Sequence, residues 1–290
     1  MKAARIFLIG AALAVATTAP AVASPTTGMT QARMTLLKER GHLAIQRRLN
    51  ELDRLTALVN GATHLTSSDR STLLSKLSSD RSGLQSLDTK IQGDTDGRTL
   101  RNDLASIVTG YRIYVLVAPQ VHIVVASDRI AAFVSLGNTI AAKIQAKIDA
   151  EKGNGKDVKA AQAALDDMKK QLADASAAVA GVASSVIALT PSGYPGNRTT
   201  LLDARSSILT ARAHLVEARA DAHAAVNALA SALGIGGGAA VRPPLYSVRL
   251  PAVPSGESAS AEGEDDHGYL RHRRQRAHVR LLRGIGPARG

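Results

Sequence analysis

Three side chains of types that do chemistry stand at helical spacing in this 290-residue chain: His214, Glu217 and Asp221. Steps of three and four residues put an imidazole and two carboxylates on one helix face, where they could ligate a metal. The surrounding segment is alanine-rich, and no Glu-x-x-His stands nearby to complete a ligand set. Local pairing on a solvated polar face is therefore the expected role. His223, nine residues after His214, points nearly the opposite way. The stretch GDTDG (residues 93–97) looks briefly like a calcium loop. With Asp94 and Asp96 at the third and fifth positions, the first would be Gln92, the eighth Thr99 and the twelfth Asp103, a poor match to an oxygen cage. Asp and Gly favour turns for local reasons, so a helix-connecting turn is expected there.

No P-loop, G-x-S-x-G elbow, H-E-x-x-H or strand-borne dinucleotide fingerprint occurs. The chain has no cysteine, which excludes thiol catalysis, disulfides and thiolate metal sites. The expectation is a non-enzyme with no catalytic residue, resident metal or cofactor. The densest group of charged side chains is C-terminal. Glu257, Glu262, Glu264, Asp265 and Asp266 precede Arg271, Arg273, Arg274, Arg276, Arg280 and Arg283. The functional reading of these arginines is an arm that weakly binds a polyanion, nucleic acid or an anionic envelope polymer, through salt-sensitive phosphate contacts. A lone Tyr269 is the only aromatic near them to stack a base. The alternative is a solvated tail, with His267, His272 and His278 as weak metal contacts at most. All nine basic residues after residue 234 are arginine, a composition that a shifted reading frame in a GC-rich gene also produces.

The elements that would carry these residues are helical. Aromatic residues make up 2% of the chain and tryptophan is absent, so the core must be built from Leu, Ile, Val and Ala. Over residues 30–59, Met34, Leu37, Ile45, Leu49, Leu52, Leu55 and Val59 form an amphipathic stripe ending at Asn60-Gly61. Thr66 to Asp69 resembles a capping box, followed by Leu73, Leu77, Leu84, Leu87 and Ile91. From Val158 to Leu189, apolar residues alternate in steps of three and four, and a second such stripe runs from Leu201 to Ala232. The turn TPSGYPGN (residues 190–197) between them predicts an antiparallel hairpin of two long helices. Their many alanines predict closely approaching axes.

The run YRIYVLVAPQVHIVV (residues 111–125) has three readings. As a membrane span it is short and is interrupted by Arg112, Pro119, Gln120 and His122. As a β-hairpin it lacks a partner strand. As a helix, Leu100, Leu104, Ile107, Tyr111, Tyr114, Ala118, Val121 and Val125 keep the spacing, with a bend or break expected near Ala118. Arg112, Asp128 and Arg129 flank the run as partly buried charges, with pairing across the bend as their expected role. The stripe resumes from Ile130 to Ile148, giving six helical segments.

Lys2 and Arg5, an apolar stretch from Ile6 to Val15, and Ala21-Val22-Ala23 are the layout of a secretory signal peptide. The expected organisation is a signal peptide (residues 1–23), a helical domain (24–234) and a Gly/Pro/Ser- and Arg-rich disordered tail (235–290). Charge divides accordingly: 25 basic against 19 acidic residues over 24–234, and 9 against 5 beyond. The fold class expected is all-α, an elongated antiparallel helical bundle with coiled-coil-like packing. The motif formed by Tyr111, Arg112, Tyr114, Pro119, Gln120, Ala126, Asp128, Arg129 and Ile130 resembles a family of uncharacterised, exported, helix-rich proteins common in actinobacteria. That resemblance covers about residues 30–234 and implies export and architecture but no activity. The functional expectation is a secreted or cell-envelope scaffold or interaction module, without a transmembrane anchor after cleavage. Its partner would be an unidentified protein or envelope component.

Overall fold

The structure, a computed structural model, describes residues 30–235. Residues 1–23, expected to be a signal peptide, and the arginines of residues 271–283 lie outside the described residues. Within them the chain is an all-helical bundle with no strand: α1 (Gln31–Gly61), α2 (Ser67–Gly93), α3 (Gly97–Thr109), α4 (Ala118–Gly153), α5 (Lys159–Val179), α6 (Val182–Ile187) and α7 (Asn197–Ala232). A π-helical turn, Ile113–Val117, leads into α4, and a 3₁₀ turn, Pro191–Gly193, follows α6.

Local chemistry starts the first three helices. Thr30 Oγ1 accepts from the Arg33 N–H, Thr66 Oγ1 from the Asp69 N–H, and one Asp96 carboxylate oxygen from the N–H groups of Arg98 and Thr99. Each bond satisfies a backbone donor that a helix start leaves open. The GDTDG stretch is thus a turn: Asp94 closes α2 and Asp96 opens α3.

Two apolar clusters form the core. The first joins α1, α2 and α3 to the π turn, the N-terminal half of α4, the end of α5, α6 and the N-terminal half of α7. The second is a three-helix stem: Ala141, Ile144 and Ile148 of α4, Ala161, Leu165, Met168 and Leu172 of α5, and Ala218, Ala222 and Ala225 of α7. α5 runs antiparallel to both long helices, with Gly137 against Leu172 and Gln145 bonded to Gln162 on one side, and Gln171 bonded to His214 and Asp167 near Asp221 on the other. Alanines on the α7 side let these axes approach closely. At Gly137 the approach is closer still, since a Cβ there would lie 2.5 Å from Leu172 Cδ2.

Two helix boundaries differ from the sequence expectation. The segment expected to run unbroken from Val158 to Leu189 is interrupted at Ala180-Gly181, where Gly181 adopts φ 72°. Val182 and Val186 remain buried on the far side of this break, so the stripe survives although the helix does not. The break expected near Ala118 falls instead at Gly110 to Arg112, with Arg112 left-handed at φ 48°. Pro119 sits in the first turn of α4, where the preceding π turn has already replaced i−4 bonding: the Ala118 N–H donates to the Ile113 carbonyl. This shifts the buried face. Ile113, Leu116, Val117, Val121 and Val124 are fully buried, while Tyr111, Tyr114, Ala118 and Val125 are half-buried. Within Gly97–Gly153 one 18-residue window is long and apolar enough to cross a membrane by length and composition, and 56% of it is buried in the bundle.

Candidate functional site

The polar residues of the 111–130 motif meet other elements one by one instead of converging. Tyr111 covers Gly83 of α2, where a Cβ would stand 2.6 Å from the phenol oxygen. The Arg112 guanidinium lies 4.3 Å from the Tyr194 ring centroid, in the loop before α7, and so does not pair with Asp128 across the bend as expected. Tyr114 receives Arg48 of α1 at 5.3 Å. The Gln120 amide, 2% exposed, donates to the carbonyls of Val186 and Leu189 at 2.8 and 2.9 Å. Asp128 accepts from the Thr66 N–H at 2.8 Å, which makes it a cap for α2 supplied from α4. The Arg129 guanidinium lies 5.3 Å from the Phe133 centroid.

Cations and amides at other helix C-termini follow the same pattern. Lys76 donates to the carbonyls of Ile187 and Leu189 beyond Gln120's bonds, Arg70 donates to carbonyls at the end of α1, and Lys38 donates to the Gln92 carbonyl near the end of α2. Positive groups there answer the carbonyl ends of the helix dipoles. Burial, partly offset by the neighbouring Lys76, pushes Asp80 up to about 6, and burial lowers Lys76 against the pull of Asp80. Burial also raises Asp128, against the pull of its bond from Thr66, and lowers His122. None of these groups lines the shallow depression of about 790 Å³ that runs along α4 past Ala131, Ser135, Asn138 and Ala142.

The metal candidates separate. His214 Nδ1 meets Gln171 Oε1 at 2.7 Å, while burial, with Asp167 of α5 and Glu217 nearby, raises Asp221. Among the described residues no group of three His, Asp or Glu side chains is placed to hold a metal ion.

A surface that the sequence reading passed over lies on the other flank of α7. Leu202, Leu209 and Val216 recur every seven residues and are 54, 50 and 58% exposed. Arg198, Arg205, Arg212 and Arg219 fall between them at the same three–four spacing, and no carboxylate of the described residues pairs with any of the four. Asp221 of α7 lies near Asp167 of α5 and near Glu217, and Asp203 stands one position after Leu202. Next to this stripe, α4 presents Arg129, Phe133, Leu136, Ile140, Lys143 and Lys147 at the same spacing, with Leu136 46% exposed. Arg129 bears electrostatically on Arg212, which places the two stripes side by side. Where the two stripes overlap, from Arg129 on α4 and about Leu209 on α7 onward, the α4–α7 groove is apolar, is bordered by cations and carries no acidic residue on either stripe. α1 carries a shorter version, with Leu36 and Leu43 exposed, but Glu39, Glu51 and Asp53 interrupt its positive charge.

Comparison of the chain with protein-family models, with curated proteins and with solved structures found no match.

Proposed function

We propose that this chain is an exported, cell-envelope interaction module, a non-enzymatic helical scaffold whose α4–α7 groove receives an acidic amphipathic helix of a partner protein. The single observation that carries this reading is the seven-residue repeat of half-exposed Leu202, Leu209 and Val216 between unpaired arginines. A groove between parallel helices with apolar residues at this interval suits a further helix. Burying the exposed halves of Leu136, Leu202, Leu209 and Val216 contributes about 1 kcal/mol each, roughly 4 kcal/mol together, which the freedom lost on association offsets. Complementary carboxylates therefore supply both the remaining affinity and the choice of partner. Export rests on the charged, apolar and small-residue order of the first 23 residues, and membership of the exported helix-rich family rests on the 111–130 motif.

Photo-crosslinking amino acids at positions 209 and 216, introduced in the native host, test the reading. The expected adducts join these positions to an acid-rich helical segment of another protein, and Arg198→Glu with Arg205→Glu abolishes them. Adducts only to lipid, or adducts indifferent to charge reversal, refute it. A second reading is favoured by the arginines of residues 271–283, as a polyanion-binding arm. It predicts that deleting residues 268–290 removes salt-dependent DNA binding while leaving those crosslinks intact.

A further inference from the structure

Three exposed cations border the stem end of the α4–α7 groove, close to where the described chain stops. α4 and α7 both run antiparallel to α5, so they run parallel to each other. Gly137 packs on Leu172, and Gln171, one residue away, bonds His214. Gly137 therefore stands level with about His214, which brings Lys143 level with about Arg219 and Lys147 with about His223, both helices rising equally per residue. Lys143, Lys147 and Arg219 are exposed, and no carboxylate of the described residues pairs with any of them. Cations gathered along one groove without counter-charge favour an anionic segment laid over them.

The chain itself carries such a segment. Glu257, Glu262, Glu264, Asp265 and Asp266 place five carboxylates within ten residues, and Ser, Ala and Gly fill the other positions, so no bulky side chain holds the backbone away from a helix pair. Reach is ample. Arg219 stands 16 residues before Ile235, about 24 Å along α7 at the helical rise. Glu257 follows Ile235 by 22 residues, which can span up to about 73 Å.

We propose that the acidic segment 257–266 of this same chain docks over Lys143, Lys147 and Arg219 and competes there with the partner's acidic helix. This occupant rests on the reading of the groove as a receptor for acidic segments, and it names what fills the groove before a partner arrives. Exposed ion pairs are individually weak, so the tether decides whether the contact forms. Attachment holds the segment at a local concentration on the order of millimolar, and a contact with a dissociation constant of about 1 mM is then made in about half of the chains. Half occupancy lowers the apparent affinity of a partner about 2-fold. It also selects among partners, because the segment has no large apolar side chain to cover Leu136 and Val216, whereas an amphipathic helix has.

The absence of cysteine from the chain makes the test direct: Ser260→Cys gives a single attachment point for a nitroxide. In the mature chain, residues 24–290, at low salt, the nitroxide should broaden the amide resonances around residues 143–147 and 216–219 and leave those of α1 and α2 sharp. Neutralising the segment (Glu262→Gln, Glu264→Gln, Asp265→Asn and Asp266→Asn) should abolish the broadening, as should salt of about 1 M, where charges are screened within about 3 Å. Reversing the groove with Lys143→Glu, Lys147→Glu and Arg219→Glu should abolish it too. Adding Glu262→Lys, Glu264→Lys, Asp265→Lys and Asp266→Lys to the reversed groove should restore it, which a purely structural effect of the groove changes would not. No broadening in the groove, as when the carboxylates pair instead with the arginines of residues 271–283, overturns the proposal. So does broadening that survives neutralisation, or broadening seen when nitroxide and isotope are on different copies of the chain. Groove broadening without partner adducts at positions 209 and 216 fails the partner reading alone, and adducts without broadening fail the tail reading alone.

Discussion

Replacing Gln120 with Met tests whether the 111–130 motif is architectural. Methionine keeps the length of the side chain and removes both donors, so the bonds to the carbonyls of Val186 and Leu189 are lost. Each neutral bond is worth about 1 kcal/mol net, giving a loss of about 2 kcal/mol. The further cost of stranding a buried carbonyl is avoided, because Val186 still accepts from the Leu189 N–H at 3.2 Å and Leu189 from Lys76 Nζ at 3.0 Å. Urea unfolding should therefore show a loss of about 2 kcal/mol, and thermal unfolding a fall of roughly 4–8 °C for a domain of this size. Adding Lys76→Met removes the last side-chain donor to the Leu189 carbonyl. The double variant should then lose about 1 kcal/mol more than the sum of the two single changes. A single-variant loss below about 0.5 kcal/mol, or strict additivity in the double variant, would refute the idea that Gln120 and Lys76 together cap α6.

Two further perturbations follow from close approaches and burial. Gly137→Ala drives a methyl group into Leu172, an overpacking cost of about 1–3 kcal/mol against a helix-propensity gain of about 1 kcal/mol. Denaturant unfolding should show a net loss in the wild-type background and none with Leu172→Ala, where the space is vacated. Asp80 titrates at about 6 in the folded chain against an ordinary 3.8, so the folded state binds more protons across that interval. Its contribution to stability is present below pH about 4 and is lost as pH rises through about 6. Asp80→Asn should accordingly raise the unfolding temperature relative to wild type at pH 7.5, and the difference should close at pH 4.

The long elements could be read directly because each carries one apolar face. Ile45, Leu52, Leu55 and Val59 of α1, and Leu165, Met168 and Leu172 of α5, are buried where the three–four spacing puts them. The spacing could not reveal Gly181, since Val182 and Val186 resume on the same side after the break. It also misphased the run before α4. A left-handed Arg112 and a π turn advance the buried face from Tyr114 and Ala118 to Ile113, Leu116 and Val117, and β-branched residues on every side hide that advance. The roles of Gln120 and Asp128 were beyond any local pattern, because their partners lie 66 and 62 residues away. The α7 groove stripe was legible in principle. Arginines break an apolar count, but Leu202, Leu209 and Val216 repeat every seven residues one position after the core stripe.

The two core clusters share α4 and α7, each a single helix of 36 residues. Such a helix is a rod about 54 Å long. With both rods passing from the seven-helix end into the stem, the chain has leverage. A tilt of about 5° where α4 leaves α1 and α2, past Val134, would carry the far tip, about 29 Å further on, sideways by about 2.5 Å. Any rocking of the two rods at the end that holds α1 and α2 therefore reaches the tip of the stem as a larger displacement.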